Sequence, residues 1–120
     1  MQELLKRRNL LNKNLNSLVD ESLDYQASSF LAKTLGDENR IRIIQLLANE
    51  KKSVSSIVEE LGISQPLTSH HLKELKRSLL VTVERSGPFV YYKLTDKKII
   101  EIVSNLNELA VDLLKNRTRF

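Results

Sequence analysis

Residues 53–77, SVSSIVEELGISQPLTSHHLKELKR, decide the fold of this chain. Ser53 and Ser64 are favoured helix N-cap residues, and Pro66 is tolerated in a first helical turn because its missing N–H needs no partner there. Gly62 ends the first helix. The stretch therefore predicts a helix of about nine residues, a short turn and a second helix, which is the helix-turn-helix pattern.

The second helix of this stretch is predicted to have one buried stripe and one face rich in hydrogen-bond donors. Thr68, Leu72 and Leu75 repeat at the i, i+4 and i+7 spacing of a single helix face. The remaining positions carry groups that contact base edges or phosphates when a helix lies in the DNA major groove. The DNA-binding residues predicted here are Ser64, Gln65, Leu67, Ser69, His70, Lys73, Lys76 and Arg77.

These residues are expected to divide the work between base reading and backbone binding. Gln65 can pair bidentately with adenine, and Leu67 can touch a thymine methyl group. Ser64 and the free N–H groups of the first turn suit a phosphate, because helix N-termini attract anions. Ser69 and His70 can donate to bases or phosphates, and the three basic residues are expected to hold the DNA backbone.

The flanking sequence predicts a mainly α-helical domain with a small β-hairpin. Apolar residues at helical spacing predict a long leading helix, a second helix, a third helix capped by Asp37 and a closing helix from Asp96 onward. The leading helix is expected from Leu4 to Leu23, and the second from Ser29 to Leu35.

Two β-branched and aromatic runs, residues 80–84 and 89–94, flank a Ser-Gly-Pro turn at residues 86–88 and predict the hairpin. Arg85 on this hairpin is expected to reach a neighbouring phosphate or the minor groove. Tyr91 and Tyr92 alternate along the second strand, so one is expected on the core and the other in solvent.

Composition limits the class of protein. A chain of 120 residues has room for one domain, and its net charge is +4, with five Lys or Arg against two Asp or Glu over residues 64–95. Cys is absent, which excludes disulfides, thiolate metal sites and a catalytic thiol. No apolar run approaches the roughly 18 residues of a membrane helix, so a cytoplasmic protein without a membrane partner is expected. No nucleophile and base pair, carboxylate dyad or phosphate-binding loop predicts an enzyme.

The sequence closely resembles the ArsR-type family of winged-helix transcriptional regulators. The resemblance lies in residues 31–40, LAKTLGDENR, and 41–44, IRII, then in 61–73, LGISQPLTSHHLK, and 90–94, VYYKL. It implies a homodimeric repressor that binds a pseudo-palindromic operator on double-stranded DNA. It also implies one winged-helix domain over residues 1–120, with an N-terminal dimerisation helix at 1–28, a winged helix-turn-helix core at 29–95, and a C-terminal dimerisation helix and tail at 96–120.

The first and last helices form the dimer interface in this family. A leucine pattern alone does not distinguish a core helix from a dimer seam, but the two helices together carry more apolar surface than a small winged core can cover. The predicted interface residues are Leu4, Leu11, Leu15, Leu18, Ile102, Leu106, Leu109 and Leu113.

The chain departs from the family at the positions where many members bind a regulatory metal. Ser53 and Ser55 stand where a Cys-x-Cys pair is found, and hydroxyls do not replace soft thiolates. On the last helix Asp96 and Asp112 remain, but two further positions expected to be His are Lys98 and Leu109. We therefore predict no metal and no cofactor, and any inducer is unidentified.

Two other groups of polar residues could be considered as ion sites. The adjacent His70 and His71 point about 100° apart and are not expected to share an ion. An acidic stripe on the last helix is either a solvated face or an oxygen-rich cation site, and it is formed by Glu101, Asn105, Glu108 and Asp112.

Three further expectations concern residues around the helix-turn-helix. Arg40 is expected to support the preceding turn by ion pairing and not to touch DNA, and His71 to pack against the domain edge. Leu79 occupies a position where the family usually has Gly; a left-handed backbone there costs about 1 kcal/mol.

The alternative function is a winged-helix module that binds protein without reading DNA. The positive charge of residues 64–95 favours DNA binding over this alternative.

Overall fold

The computed structural model describes residue 2 and residues 25–117, and it confirms the winged helix-turn-helix architecture. The predicted leading helix, with Leu4, Leu11, Leu15 and Leu18, lies outside the described residues, and the domain boundaries stay predictions. The elements in chain order are α1 (Tyr25–Thr34), α2 (Glu38–Leu46), β1 (Lys52–Ser53), α3 (Val54–Leu61), α4 (Gln65–Arg77), β2 (Val81–Ser86), β3 (Phe89–Leu94) and α5 (Lys98–Lys115).

Side-chain caps start three of these helices at the predicted residues. Asp37 accepts hydrogen bonds from the N–H groups of Asn39 and Arg40 at 2.8 and 3.2 Å, and so begins α2. Ser53 and Ser64 cap α3 and α4 in the same way, each accepting from the N–H three residues ahead. These local hydrogen bonds fix where the helix-turn-helix begins.

Other element boundaries differ from those predicted. Within the described residues the second helix covers Tyr25–Thr34 and so includes residues before Ser29, and the first strand of the hairpin covers Val81–Ser86. The closing helix starts at Lys98, because Asp96 uses its side chain to accept the Lys98 N–H at 2.9 Å.

The hairpin belongs to a three-stranded antiparallel sheet in the order β1-β3-β2. The short strand β1 was not predicted from the sequence; Lys52 and Ser53 pair with Tyr92 and Tyr91. Tyr92 packs against the core, and the pleat places Tyr91 on the opposite face. The hairpin of β2 and β3 is the wing of the fold, and the sheet joins it to the start of α3.

The core lies between the helices and the inner face of the sheet. The predicted stripe on α4 is confirmed, since Thr68, Leu72 and Leu75 are all buried. Leu72 and Leu75 pack in one apolar cluster with side chains from other helices and from the sheet, which includes Ile43, Ile44, Ile57, Val81 and Val103. Burial of this side of α4 determines which side faces outward.

The segment after α4 contains the backbone strain anticipated from the sequence. Leu79 has a φ of 65°, in the left-handed region, and its side chain is 75% exposed. The turn continues with the N–H of Leu80 donating to the carbonyl oxygen of Leu75 at 3.0 Å. A left-handed leucine costs about 1 kcal/mol relative to glycine, and the exposed side chain recovers little of this by packing.

The prediction that Arg40 supports the preceding turn through an ion pair is wrong. Its Nε donates to the carbonyl oxygen of Thr34 at 2.6 Å, and its Nη1 lies 3.4 Å from Nδ1 of His71. The end of α1 presents a carbonyl group here and not a carboxylate, so Arg40 supports the turn by hydrogen bonds. His71 is buried, as expected for a side chain at the domain edge.

Candidate nucleic-acid interface

Helix α4 exposes every side chain that the sequence assigned to DNA. Successive residues of a helix are rotated by about 100°, so the buried side that carries Thr68, His71, Leu72 and Leu75 leaves more than half of the circumference free. All eight predicted residues from Ser64 to Arg77 are exposed. We call Ser69, His70, Lys73 and Arg77, which lie opposite the buried side, the outward face of α4.

The remaining predicted residues flank this face. The rotation places Gln65 and Lys76 together on one flank, and Leu67 on the other flank beside Glu74. Donors and cations therefore occupy the centre and one flank, and the single apolar contact residue, Leu67, lies apart from them. A helix arranged in this way can present donors to the edges of the bases while its two flanks approach the phosphate backbones on either side of the groove.

The start of α4 offers fewer anion-binding groups than the sequence suggested. Ser64 Oγ accepts the N–H of Leu67 at 3.3 Å, and the N–H of Thr68 bonds to the Ser64 carbonyl oxygen at 3.0 Å. Pro66 has no N–H. In the part of the chain that the structure describes, the backbone N–H groups of Ser64 and Gln65 and the Ser64 hydroxyl hydrogen remain for a phosphate.

The cations of the outward face differ in how far they are already paired. Within residues 25–117, Lys73 and Lys76 have no carboxylate partner. Arg77 lies 3.5 Å from Glu74 through Nη2 and Oε2, and its guanidinium lies 5.8 Å from the centre of the Phe30 ring. Exposed pairs of this kind contribute about 1 kcal/mol or less, so Arg77 still presents positive charge.

On the wing, the positive charge that no described carboxylate neutralises lies at Arg85. Glu84 lies 3.2 Å from Lys51 and 3.6 Å from Lys93, and these two lysines lower the pKa of its carboxyl group. Arg85 lies on the other face of the hairpin, opposite Val90, and no acidic side chain of the described residues pairs with it. Arg85 is thus a wing cation that the described residues leave unpaired, and its contact with a phosphate stays a prediction.

Sequence reasoning missed two groups beside these residues. Phe89 at the tip of the wing is 58% exposed and packs against Tyr91 with ring centres 6.3 Å apart. Its position directly after Gly87-Pro88 was a signal for a tip residue. Phe30 and Lys33 at the end of α1 lie beside Arg77 and line a pocket with it; this contact joins distant parts of the chain, and no local pattern shows it.

A buried histidine connects α4 to the helix before it. His71 is only 4% exposed, and its Nε2 lies 3.8 Å from Oδ1 of Asp37. Burial lowers the pKa of His71 more than the Asp37 carboxylate raises it, and Arg40 lowers it further. The imidazole is therefore neutral near pH 7 and can accept the Arg40 N–H at Nδ1.

The donors at the family's two metal positions do not suit a transition metal. The Ser53 hydroxyl is used as the cap of α3, and the Asp96 carboxylate accepts a backbone N–H. Across the described residues, no three His, Asp or Glu side chains are grouped as a metal site. The residues present do not support metal regulation at these positions.

Helix α5 carries an apolar face that the described residues leave uncovered. Its predicted interface residues are all exposed, namely Ile102, Leu106, Leu109 and Leu113. An apolar groove of about 580 Å³ between α1 and α5 continues this face, because Ile102 and Leu106 also line the groove. A contiguous exposed apolar surface is typical of a protein interface.

Comparison with known proteins finds similarity to bacterial transcriptional regulators. A family model described as "Bacterial regulatory protein, arsR family" matches residues 37–83. The chain is 35% identical over 86 residues to an uncharacterized HTH-type transcriptional regulator of Methanocaldococcus jannaschii, which covers 71% of this chain and 97% of that protein. It is 33% identical over 85 residues to the arsenical resistance operon repressor of Staphylococcus aureus, which covers 71% and 82%.

Solved structures show the same fold. A homodimeric winged helix-turn-helix DNA-binding domain from Mycobacterium bovis superposes with a TM-score of 0.67 at 24% identity, which covers 73% of this chain and 82% of that domain. None of the helices in the described residues has the length and apolar character needed to cross a membrane.

Proposed function

This chain belongs to the arsR family of bacterial regulatory proteins and is a transcriptional regulator, and we propose that it acts as a homodimeric repressor that reads a pseudo-palindromic DNA operator with α4. The observation that carries this proposal is the outward face of α4. Its four residues are free of the protein's own core, whereas the opposite side of the same helix is fully buried.

In this proposal α4 lies in the major groove. Gln65 reads adenine, Ser69 and His70 donate to bases or phosphates, and Leu67 touches a thymine methyl group. Lys73, Lys76 and Arg77 hold the backbone on either side of the groove, Ser64 holds a phosphate at the helix start, and Arg85 holds a phosphate or enters the minor groove.

The dimer supplies the second reading helix. The exposed apolar face of α5 supports an interface with a second copy through Ile102, Leu106, Leu109 and Leu113. A twofold axis there would place the two α4 helices about one DNA turn, roughly 34 Å, apart. Such a dimer covers two half-sites at once, and a protein that occupies a promoter in this way blocks access to it.

The same proposal assigns no enzymatic step and no metal or cofactor to the chain, and it places the protein in the cytoplasm with the DNA. An inducer, where one exists, must bind the dimer that is unable to bind DNA more tightly than the dimer that binds it. The dimer helices are where such a difference would act.

The rival function, a module that binds protein, predicts a different surface and a different response to salt. A protein-docking face is depleted of charge and exposes apolar anchors, whereas the outward face of α4 holds the cations Lys73 and Arg77. The test is fluorescence anisotropy of promoter DNA from the chain's own operon at several salt concentrations. A logarithmic affinity that falls steeply and linearly with the logarithm of salt supports DNA binding, because each phosphate contact releases counterions. No measurable binding at low salt would exclude it.

A further inference from the structure

Three cationic side chains from three helices line one small pocket beside the outward face of α4. The pocket has a volume of about 150 Å³ and lies where the ends of α1 and α4 meet. Lys33 comes from α1, Arg40 from α2 and Arg77 from α4. Glu74 is the one acidic residue among those that line it, so the pocket has an excess of positive charge.

Both guanidinium groups are held in place before any ligand arrives. Arg40 Nε donates to the Thr34 carbonyl oxygen at 2.6 Å, and Arg77 lies over the Phe30 ring while its Nη2 faces Glu74. A guanidinium has five N–H donors, so each retains donors that these contacts do not use. Groups fixed in this way lose less conformational entropy when they bind an anion.

The charge of the pocket is not balanced by its surroundings. The second partner of Arg40 is the neutral imidazole of His71. The Asp37 carboxylate accepts the N–H groups of Asn39 and Arg40 through Oδ1 and lies outside the pocket lining, so that even with Glu74 it leaves the three cations in excess. Lys33 has no hydrogen-bond acceptor or carboxylate partner among residues 25–117.

We propose that this pocket binds a phosphate group through Lys33 and Arg77, with Arg40 as its positively charged wall. Arginine presents paired N–H groups that match phosphate oxygens, and lysine adds a point charge. The volume is below the roughly 300 Å³ at which pockets for drug-sized ligands begin, so a single phosphate suits it better than a larger ligand.

The phosphate can come from the DNA backbone or from a small phosphorylated compound. Arg77 belongs both to this pocket and to the outward face of α4, one turn beyond Lys73. The pocket therefore continues the predicted DNA surface, which favours the backbone as the source. In that form the inference rests on the proposed function and extends the DNA contact to α1.

The first experiment compares Lys33→Gln with Lys97→Gln in the full chain. Both substitutions remove one exposed positive charge, but Lys97 lies at the start of α5 and outside the pocket. For a DNA phosphate we expect Lys33→Gln to weaken operator binding several-fold and to reduce the salt slope by about 0.9, the value of one phosphate contact. Lys97→Gln should leave the salt slope unchanged, and Lys33→Arg, which keeps the positive charge, should have the salt slope of the wild type.

The second experiment uses inorganic phosphate and pyrophosphate without DNA, at constant ionic strength. A higher melting temperature for the wild type, absent in Lys33→Gln, assigns the pocket to a free phosphate compound. The proposal is overturned when Lys33→Gln matches Lys97→Gln in the DNA titrations and neither anion stabilises the wild type selectively. Failure of the proposed function would be recognised separately, as absence of DNA binding by the wild type, and the anion titration would then decide the pocket alone.

Discussion

Nη1 of Arg40 lies 3.4 Å from Nδ1 of His71, and this contact ties α4 to the start of α2 from inside the domain. On its other side, His71 Nε2 faces Oδ1 of Asp37 at 3.8 Å, the same oxygen that caps α2. The position of α4 therefore depends on an imidazole that accepts a hydrogen bond from a guanidinium. Only the neutral form of His71 can do this.

The first prediction concerns stability at mildly acid pH. Burial lowers the pKa of His71 below its usual value near 6.5, so the unfolded chain binds a proton that the folded chain does not. The free energy of unfolding should be constant above about pH 7 and should fall as the pH drops through 6.5, levelling off below the folded pKa. Urea unfolding followed by circular dichroism between pH 8 and pH 5 measures this.

The adjacent histidine provides the control for this prediction. His70→Gln changes an exposed side chain and should retain the decline in stability between pH 7 and pH 5. His71→Gln removes the buried titrating group and should flatten this part of the profile, at some cost in overall stability. Identical profiles for the two variants would show that another group causes the decline.

A second prediction tests the backbone strain at Leu79. With a φ of 65° and an exposed side chain, this position should prefer glycine to alanine. We expect Leu79→Gly to be more stable than Leu79→Ala by about 1 kcal/mol. At ordinary positions in helices and strands the order is reversed by about 0.5–1 kcal/mol. Chemical denaturation of both variants decides between a left-handed turn and a helix that ends differently.

A third prediction separates base reading from backbone binding on α4. Gln65→Ala should reduce discrimination at one base position of each half-site by about 1–3 kcal/mol. Lys73→Ala should weaken binding to all sequences alike and reduce the salt slope by about one. Competition titrations with single-base operator variants measure both effects. An equal loss of affinity for every DNA sequence in Gln65→Ala would remove Gln65 from the base-reading set.

The fourth prediction addresses the proposed dimer. Leu109→Glu places a charge in the exposed apolar face of α5 and should convert the dimer to a monomer, because burying an unpaired carboxylate is costly. Ser104 lies on the opposite side of the same helix and is also exposed, so Ser104→Glu is the matched control. Sedimentation velocity gives the masses. A dimer that persists in Leu109→Glu with unchanged affinity would place the interface elsewhere.

Features that depend on neighbouring residues could be predicted from the sequence. The Ser64 cap and Pro66 fixed the start of α4, and the spacing of Thr68 and Leu72 fixed its buried side. These features arise within one or two helical turns, so they need no knowledge of the tertiary fold. The exposed residues of α4 followed from the same periodicity.

Features that depend on contacts between distant segments could not be predicted. Strand β1 is only two residues long and exists because Lys52 and Ser53 meet β3. The partners of Arg40 are a carbonyl group at the end of α1 and a side chain in α4, 31 residues away. The phosphate pocket has the same origin, because its cations come together only when α1, α2 and α4 pack.

The most direct test of the account is selection of bound DNA from a random duplex pool with the full wild-type chain. The outward face of α4 and a twofold dimer predict enrichment of one palindrome whose half-sites are about one helical turn apart. The recovered sequence should occur in promoters of the source genome. Recovery of no preferred sequence, or of a single site without symmetry, would contradict the claim that two copies of α4 read DNA together.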